Sequence, residues 1–167
     1  YDTQEWVGQQ EWSNGKIGMA GGSYVGLVQW QSAPHRSDYL TCMVPRVICN
    51  DFFYGLVYPG GAFQLNVLLS WGMRTNGRTG QSIEYHNWTE AFQALPLIEM
   101  DRLAGRHLDF WKDWIEHPTY DDYWKAIDVQ DKWDEIAAPA LNMGGWFDLY
   151  SADAFTNFNG LRQNGRT

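Results

Sequence analysis

Cysteine is scarce here, Cys42 and Cys49 being the only two in 167 residues. If the chain between them is largely extended, its seven steps span roughly 23 Å, far beyond disulfide reach. Two free thiols are expected, a weak pointer to a reducing compartment. No apolar run is long enough to cross a bilayer, and neither a signal peptide nor a polybasic tract is visible. The chain opens at Tyr1 without an initiator methionine and closes on Gly165-Arg166-Thr167, a polar turn where an α/β pattern should enter another strand. It reads as a piece of something longer, so localisation, cytoplasmic or secreted, stays open. Basic residues are also few, 12 against 20 acidic ones for a net charge of −8, which argues against nucleic acid as a partner; no membrane partner is indicated. Histidine occurs four times, and no cluster of His, Cys and Asp has metal-ligand spacing. Neither a metal nor another cofactor is expected.

What the chain has in abundance is tryptophan and tyrosine, ten and nine copies. Aromatics at this density build a crowded apolar interior or a pocket that grips ligand faces, as sugar-binding modules do. More than half of the acidic residues fall between Glu99 and Glu135. Such a segment suits a cationic ligand, but a charge run also reads as a solvated helix face.

The organising stretch is Lys16 to Gly26, KIGMAGGSYVG. Ile17 and Met19 supply a short, mostly apolar strand, Gly21 and Gly22 allow a tight turn, and Val25 to Gln31 begin a helix. Such a turn presents one side chain, that of Ser23, and needs small neighbours where strand and helix pack closely. Gly21, Gly22 and Gly26 meet that need. Glycine-rich strand-to-helix turns also bind phosphates, and serine sits in tight turns for backbone reasons alone. If the turn is a nucleophile elbow, Ser23 attacks an ester or amide carbonyl and the Tyr24 backbone N–H supplies one oxyanion donor.

Around this turn the pattern is α/β. Asp2-Thr3-Gln4-Glu5 has the form of a capping box before a short helix with Trp6, Val7 and Gln10. The helix after Ser23 should end near Ser32 before Pro34, which carries His35 on the order of 15 Å from the apex, too far to serve as base. Met43 to Asn50 reads as a buried parallel strand with Pro45 at its start, and strand, helix, strand implies a right-handed crossover. Asp51, Phe52, Phe53 and Tyr54 then emerge at the carboxyl edge, where ligands bind in open α/β sheets. From Tyr58 to about Gln130 the pattern is helical: Phe63 to Arg74, Trp88 to Leu95, Pro96 to His107, Leu108 to His117 and Tyr120 to Ile127. Phe110, Trp111, Trp114 and Ile115 recur at helical spacing opposite Lys112, Asp113 and Glu116. HPTYDDYW at 117–124 reads as a helix start, and the sequon at Asn87 carries no weight. Ala138 to Met143 returns to the sheet, and Gly144-Gly145-Trp146-Phe147-Asp148 closes it. A carboxylate just past a strand end is where a hydrolase of this architecture holds the acid that orients its histidine. Asp148 also suits the N-cap of a helix over Leu149 to Leu161, with Asp153 a competing acid inside that helix.

The ordered set SNGKIGMAGGSYVG, YPGGAF at 58–63, HPTYDDYW and MGGWFD at 143–148 resembles the X-Pro dipeptidyl-peptidase-like (CocE/NonD) serine hydrolases over nearly the whole chain. In that family the elbow reads G-x-S-Y-x-G, which Gly21, Ser23, Tyr24 and Gly26 match. The resemblance implies a partial α/β-hydrolase fold, a parallel sheet with a nucleophile elbow and an inserted helical cap. Its divisions are 1–53 for the elbow half of the core, 54–130 for the cap and 131–167 for the acid strand. It implies an esterase, acylase or peptidase acting on a small-molecule or peptide acyl substrate through Ser23, with Asp148 as triad acid. Trp71, Trp146, Tyr150 and Phe52 are candidate substrate-pocket walls, ordinary packing being the alternative. His86, His107 and His117 lie in the insertion, and the chain order serine, acid, histidine puts the base after Asp148. The resemblance places that histidine, an upstream oxyanion tyrosine, the early strands and a C-terminal β-sandwich outside this stretch. The fragment alone should therefore be inactive. The rival reading is a non-catalytic aromatic-rich module that binds carbohydrate or another ligand, with Ser23 a turn residue.

Overall fold

The strand before Ser23 runs over Ile17–Gly22 (β1) in the structure, a computed structural model that describes residues 1–84, 86–163 and 165. Both elbow glycines belong to the strand, so the turn falls on Ser23 itself. The helix begins one residue earlier than expected, over Tyr24–Ser32 (α2). A 3-10 turn, Ala33–His35, takes up Pro34 directly after it. The next strand is Leu40–Arg46 (β2) and pairs in parallel with β1, Gly21 opposite Pro45 and Gly22 opposite Arg46.

This corrects the expected span of Met43 to Asn50. The strand starts three residues earlier and stops at Arg46, because Val47 takes φ +50 and turns the chain out of the sheet. Pro45 is the penultimate residue of β2 rather than its entrance. Its place is explained by the third strand position, residues 140–143, which bridges β2 in parallel at Met43–Ala140 and Arg46–Met143. On that side the rungs run Met43 N–H to Pro139 O, Leu141 N–H to Met43 O, Met143 N–H to Pro45 O and Val47 N–H to Met143 O. The alternation of a parallel ladder leaves one rung, from residue 45 to the Leu141 carbonyl, that proline cannot donate. Residues 140–143 accordingly hold β2 by isolated bridges instead of a continuous strand.

The chain forms two compact units, Tyr1–Gly55 with Trp124–Thr167, and Leu56–Tyr123. In the first, a helix over Asp2–Gly8 (α1) precedes β1. The expected capping box does not form: Tyr1 is the N-cap without a side-chain bond, and Asp2 and Glu5 lie within the first turn, where carboxylates favour the helix dipole. What α1 buries is Gln4, whose Nε2 donates to Ser32 Oγ at 3.0 Å. Leu27, Trp30, Met43, Cys49, Trp124 and Ile136 are enclosed in this unit. Its last helix begins two residues later than expected and covers Ser151–Gln163. Of the polar turn read at 165–167, only Gly165 lies within the described residues.

In the second unit, helices Leu65–Thr75 (α3), Trp88–Gln93 (α4), Met100–Leu103 (α5) and Asp109–Glu116 (α6) follow one another. Asp122–Ile127 (α7) carries the chain back, so Ser151–Gln163 is α8. Leu68, Leu69, Met73, Met100, Leu108 and Trp111 are among the buried side chains of this second unit. The apolar stripe of α6 faces inward as its spacing requires, Trp111 and Trp114 buried and Lys112, Asp113 and Glu116 exposed. Gly72 is needed for close packing, since a Cβ there would meet Leu108 Cδ1 at 2.6 Å. Among the described residues no helix is long and apolar enough to cross a membrane.

Candidate active site

Three parallel strand positions end on one edge, with Ser23 after β1, Val47 after β2 and Gly144 after residues 140–143. Ser23 takes φ 56 and ψ −131, a region that L residues rarely enter and that costs on the order of 1–3 kcal/mol. The backbone needs that conformation to pass from strand to helix without an intervening loop. Its N–H donates to the Arg46 carbonyl at 3.0 Å, and its carbonyl accepts from Gly26 and Leu27 at 2.8 and 3.0 Å. The side chain makes no capping bond and the residue is exposed. Tyr24, the first helical residue, has an N–H with no intrahelical acceptor, beside the Ser23 side chain.

The glycines do not all serve one purpose. A Cβ on Gly21 would lie 2.5 Å from Val25 Cγ1, and one on Gly26 would lie 2.7 Å from Ile48 Cγ2 and 3.1 Å from the Gly21 carbonyl. Gly22 is different, its nearest neighbour being the Arg46 carbonyl at an ordinary 3.6 Å. Close strand-to-helix approach therefore explains Gly21 and Gly26 but not Gly22.

Gln29, which sequence reasoning passed over, is fully buried beneath the elbow. Its Nε2 donates to the Val25 carbonyl at 2.9 Å, and its Oε1 accepts from the Val44 N–H at 3.0 Å. A helix side chain thus takes over a backbone donor of β2. Val47 is the other strained non-glycine on this edge; β-branched residues at positive φ are outliers.

Asp148 comes five residues after the Met143 bridge, in the loop that precedes α8. Its Oδ1 accepts from the Tyr150 N–H at 2.8 Å, and its carbonyl accepts from Ser151 at 3.1 Å. It forms a side-chain turn three residues ahead of the start of α8 and is not a residue of that helix. Among the described residues nothing donates to Oδ2. Trp146 is 82% exposed, its ring 5.6 Å from that of Phe155. A cleft of about 480 Å³ lined by Asn142, Gly145, Trp146, Ala154, Phe155 and Phe158 opens beside this loop, and neither Ser23 nor Asp148 borders it. Tyr150 is half-buried, and burial pushes its phenol well above the usual range, helped by the Cys49 and Asp148 charges. Phe52 is held by its N–H, which donates to Asp128 Oδ1 at 2.5 Å. Trp71 belongs to the second unit, where its ring packs 5.8 Å from that of Phe110.

The four histidines are accounted for within their own units. His35 closes the 3-10 turn beyond α2 and its ring lies 5.5 Å from that of Tyr1. His86 meets the Ala104 carbonyl at 2.5 Å, and His107 bonds Asp101 at 3.0 Å. His117 bonds Asp121 at 2.6 Å. Both cysteines are free, Cys42 exposed and Cys49 buried. Among the described residues no group of three or more His, Cys, Asp or Glu is placed to hold a metal ion.

A group of acids was only partly visible in advance. Asp51 and Asp128 are buried, and Asp153 stands near them at the start of α8. Burial raises all three carboxyls: Asp153 to about 6, with the Asp51 charge adding to it, and Asp128 to about 7. The Asp51 carboxyl also moves up by burial, against the pull of the Tyr54 N–H. The same burial drives the Cys49 thiol far above its usual range.

A family model described as X-Pro dipeptidyl-peptidase (S15 family) matches residues 1–167. Cocaine esterase from Rhodococcus sp. (strain MB1 Bresler) is 28% identical over 181 residues, covering 98% of this chain and 31% of the relative. An aminopeptidase from a marine sediment archaeon, Thaumarchaeota archaeon, superposes with a TM-score of 0.77 at 23% identity, over 99% of this chain and 29% of its own. An α-amino acid ester hydrolase superposes at 0.74 with 23% identity, over 98% and 28%. The chain thus spans about a third of the length of these proteins, and its fold is part of an α/β-hydrolase fold.

Proposed function

Because the chain belongs to the X-Pro dipeptidyl-peptidase (S15) family, we propose that the parent protein is a serine hydrolase of esters or amides that works through an acyl-enzyme on Ser23. The observation that carries this reading is the backbone of Ser23, φ 56 and ψ −131 between β1 and α2, with the side chain exposed. Strain at an exposed serine is hard to account for by packing, and it is what a nucleophile elbow requires.

The Tyr24 N–H, which has no acceptor among the described residues, donates to the oxyanion that forms when Ser23 Oγ adds to the carbonyl. Asp148 keeps Oδ1 on the Tyr150 N–H and turns Oδ2 to a histidine. That histidine and a second oxyanion donor come from the parent protein outside these 167 residues. On this reading the isolated chain is inactive, since a serine hydroxyl near pH 7 needs a base within about 3 Å. Trp146, Tyr150 and Phe52 bound the acyl group. The substrate is an acyl ester or an X-Pro peptide, in keeping with what the relatives are named for.

The test is active-site labelling of the parent protein with a fluorophosphonate, followed by mapping of the labelled residue. Labelling at Ser23, lost in Ser23→Ala together with about 10⁴-fold or more in kcat, is the expected result. Hydrolysis of short acyl esters by Ser23→Ala within about tenfold of the parent would place the nucleophile elsewhere.

A further inference from the structure

Val47 stands at the carboxyl edge of the sheet in a conformation that its own side chain opposes. Its φ is +50, a region costlier for a β-branched residue than for glycine, asparagine or aspartate. The backbone has a reason for the turn. Just before it, the Arg46 carbonyl accepts the Ser23 N–H at 3.0 Å. Just after it, Ile48 is buried against α2, where a Cβ on Gly26 would lie 2.7 Å from Ile48 Cγ2. Turning at residue 47 therefore lets its two neighbours meet the elbow at the strand end and at the first turn of the helix. The Val47 N–H completes the arrangement by donating to the Met143 carbonyl at 2.8 Å. None of this calls for a branched side chain, since glycine would make the same turn without strain. Burial does not account for it either, because Val47 is 39% exposed where Ile48 is 8% exposed.

The position is close to the serine. The Val47 Cα is joined to the Arg46 carbonyl through one planar peptide unit, so it lies within about 6 Å of the Ser23 nitrogen. We infer that the Val47 side chain is a wall of the substrate site, set against the first carbon of the acyl group, and that it selects unbranched acyl groups over those branched at that carbon. This rests on the reading of Ser23 as nucleophile. In the acyl-enzyme that carbon is two bonds from Ser23 Oγ, whatever leaving group has departed. It is thus the part of the substrate held nearest to residue 47. A flexible side chain there would yield to a branched acyl group. Valine does not, because β-branching restricts its χ1 and because the contacts of Arg46, Ile48 and the Val47 N–H hold its backbone in place. Val47 takes no part in making or breaking bonds and acts as a specificity-determining residue.

The test compares the parent protein with Val47→Ala and Val47→Gly on p-nitrophenyl acetate and p-nitrophenyl trimethylacetate. In both variants the preference for acetyl, taken as the ratio of the two kcat/KM values, should fall by about tenfold or more. Changing the leaving group to phenol with acetyl held constant should separate the variants from the parent far less. Stability supplies an arm that needs no activity. Val47→Gly should melt at or above the parent, and Val47→Ala, still an L residue at positive φ, should melt below Val47→Gly. An acetyl preference within about twofold of the parent in both variants would overturn the inference. So would a Val47→Gly midpoint several degrees below the parent, since the side chain would then be packed in the whole protein. Ser23→Ala, assayed in parallel, keeps the two readings apart. If it hydrolyses within about tenfold of the parent, the nucleophile is elsewhere and the inference falls with it. If it is inactive while the Val47 variants keep the parent's preference, only the role of Val47 is lost.

Discussion

The Ser23 N–H donates to the Arg46 carbonyl at 3.0 Å, so the residue at the apex of the elbow is also the last rung between β1 and β2. Arg46 in turn is bridged to Met143 on its other side. The backbone that aims Ser23 is thereby tied through one residue to the strand position that leads to Asp148. Geometry at the apex is set by backbone contacts on three adjacent strand positions, and substitutions beneath the elbow should register in it.

Gly26→Ala is the sharpest steric test. Its added methyl would meet Ile48 Cγ2 at 2.7 Å and two backbone carbonyls at 3.1 and 3.2 Å. Ile48 has freedom to shift, but the Gly21 and Arg46 carbonyls belong to the sheet. The substitution should destabilise the parent protein by about 1–3 kcal/mol and lower kcat more than it raises KM. Gly22→Ala, with only ordinary contacts, should cost far less. Chemical denaturation of the two variants side by side checks the contrast.

Gln29→Leu removes a buried amide that bonds both the Val25 carbonyl and the Val44 N–H. Leucine fills the space, and the Val25 carbonyl keeps the helical N–H of residue 29, but the Val44 N–H is left without its partner, at about 1–3 kcal/mol. A folded-state midpoint unchanged from the parent would mean that water or a neighbouring carbonyl takes over.

The elbow was legible because its residues are constrained locally. Gly21 and Gly26 answer a close approach between a strand and a helix separated by Ser23 alone. The inserted helices were legible as well, from aromatic spacing such as that of Trp111 and Trp114. The extent of β2 was not, because it depends on Val47 turning at positive φ and on which side Pro45 lacks its N–H. Neither can be read without the neighbouring strand. Gln29 carried no signal of its own in the helix, and only the tertiary approach of Val44 gives it a role. Asp128 sits 77 positions after Asp51, so no local pattern joins them.

The acid group also makes a statement about stability against pH. Asp153 has its carboxyl raised to about 6 in the folded state, chiefly by burial and then by the Asp51 charge. The folded protein therefore binds this proton more tightly than the unfolded chain does. Stability from Asp153 is fully present below about pH 4 and is lost as pH rises to about 6, opposite to an ion-paired carboxylate. Asp153→Asn should flatten that part of the profile. It should also stabilise the parent at pH 8 by on the order of 1 kcal/mol, a figure kept small because the residue is partly solvated. Thermal midpoints measured from pH 4 to pH 8 would show it, and a parent profile that climbs over this range would contradict it.

Asp148→Asn separates the two roles open to that residue. In the structure Asp148 Oδ1 accepts the Tyr150 N–H and so shapes the turn before α8. Asparagine has the same shape and the same acceptor oxygen, so the turn survives. What it loses is the negative charge and the second acceptor, Oδ2. If Asp148 were only a turn residue, the variant would match the parent in both midpoint and rate. If it orients and charges a histidine, the amide presents an N–H where an acceptor is needed, and the imidazole is held in the wrong tautomer. The expected result is a midpoint within about 1 °C of the parent and a kcat lower by about 10⁴-fold. A further readout follows from the chemistry. The remaining activity should rise with pH, as solvent hydroxide takes over the work of the misaligned base. Full activity in a folded Asp148→Asn parent would remove Asp148 from the triad, and Asp153, the other carboxyl beyond this strand end, would then be the group to change.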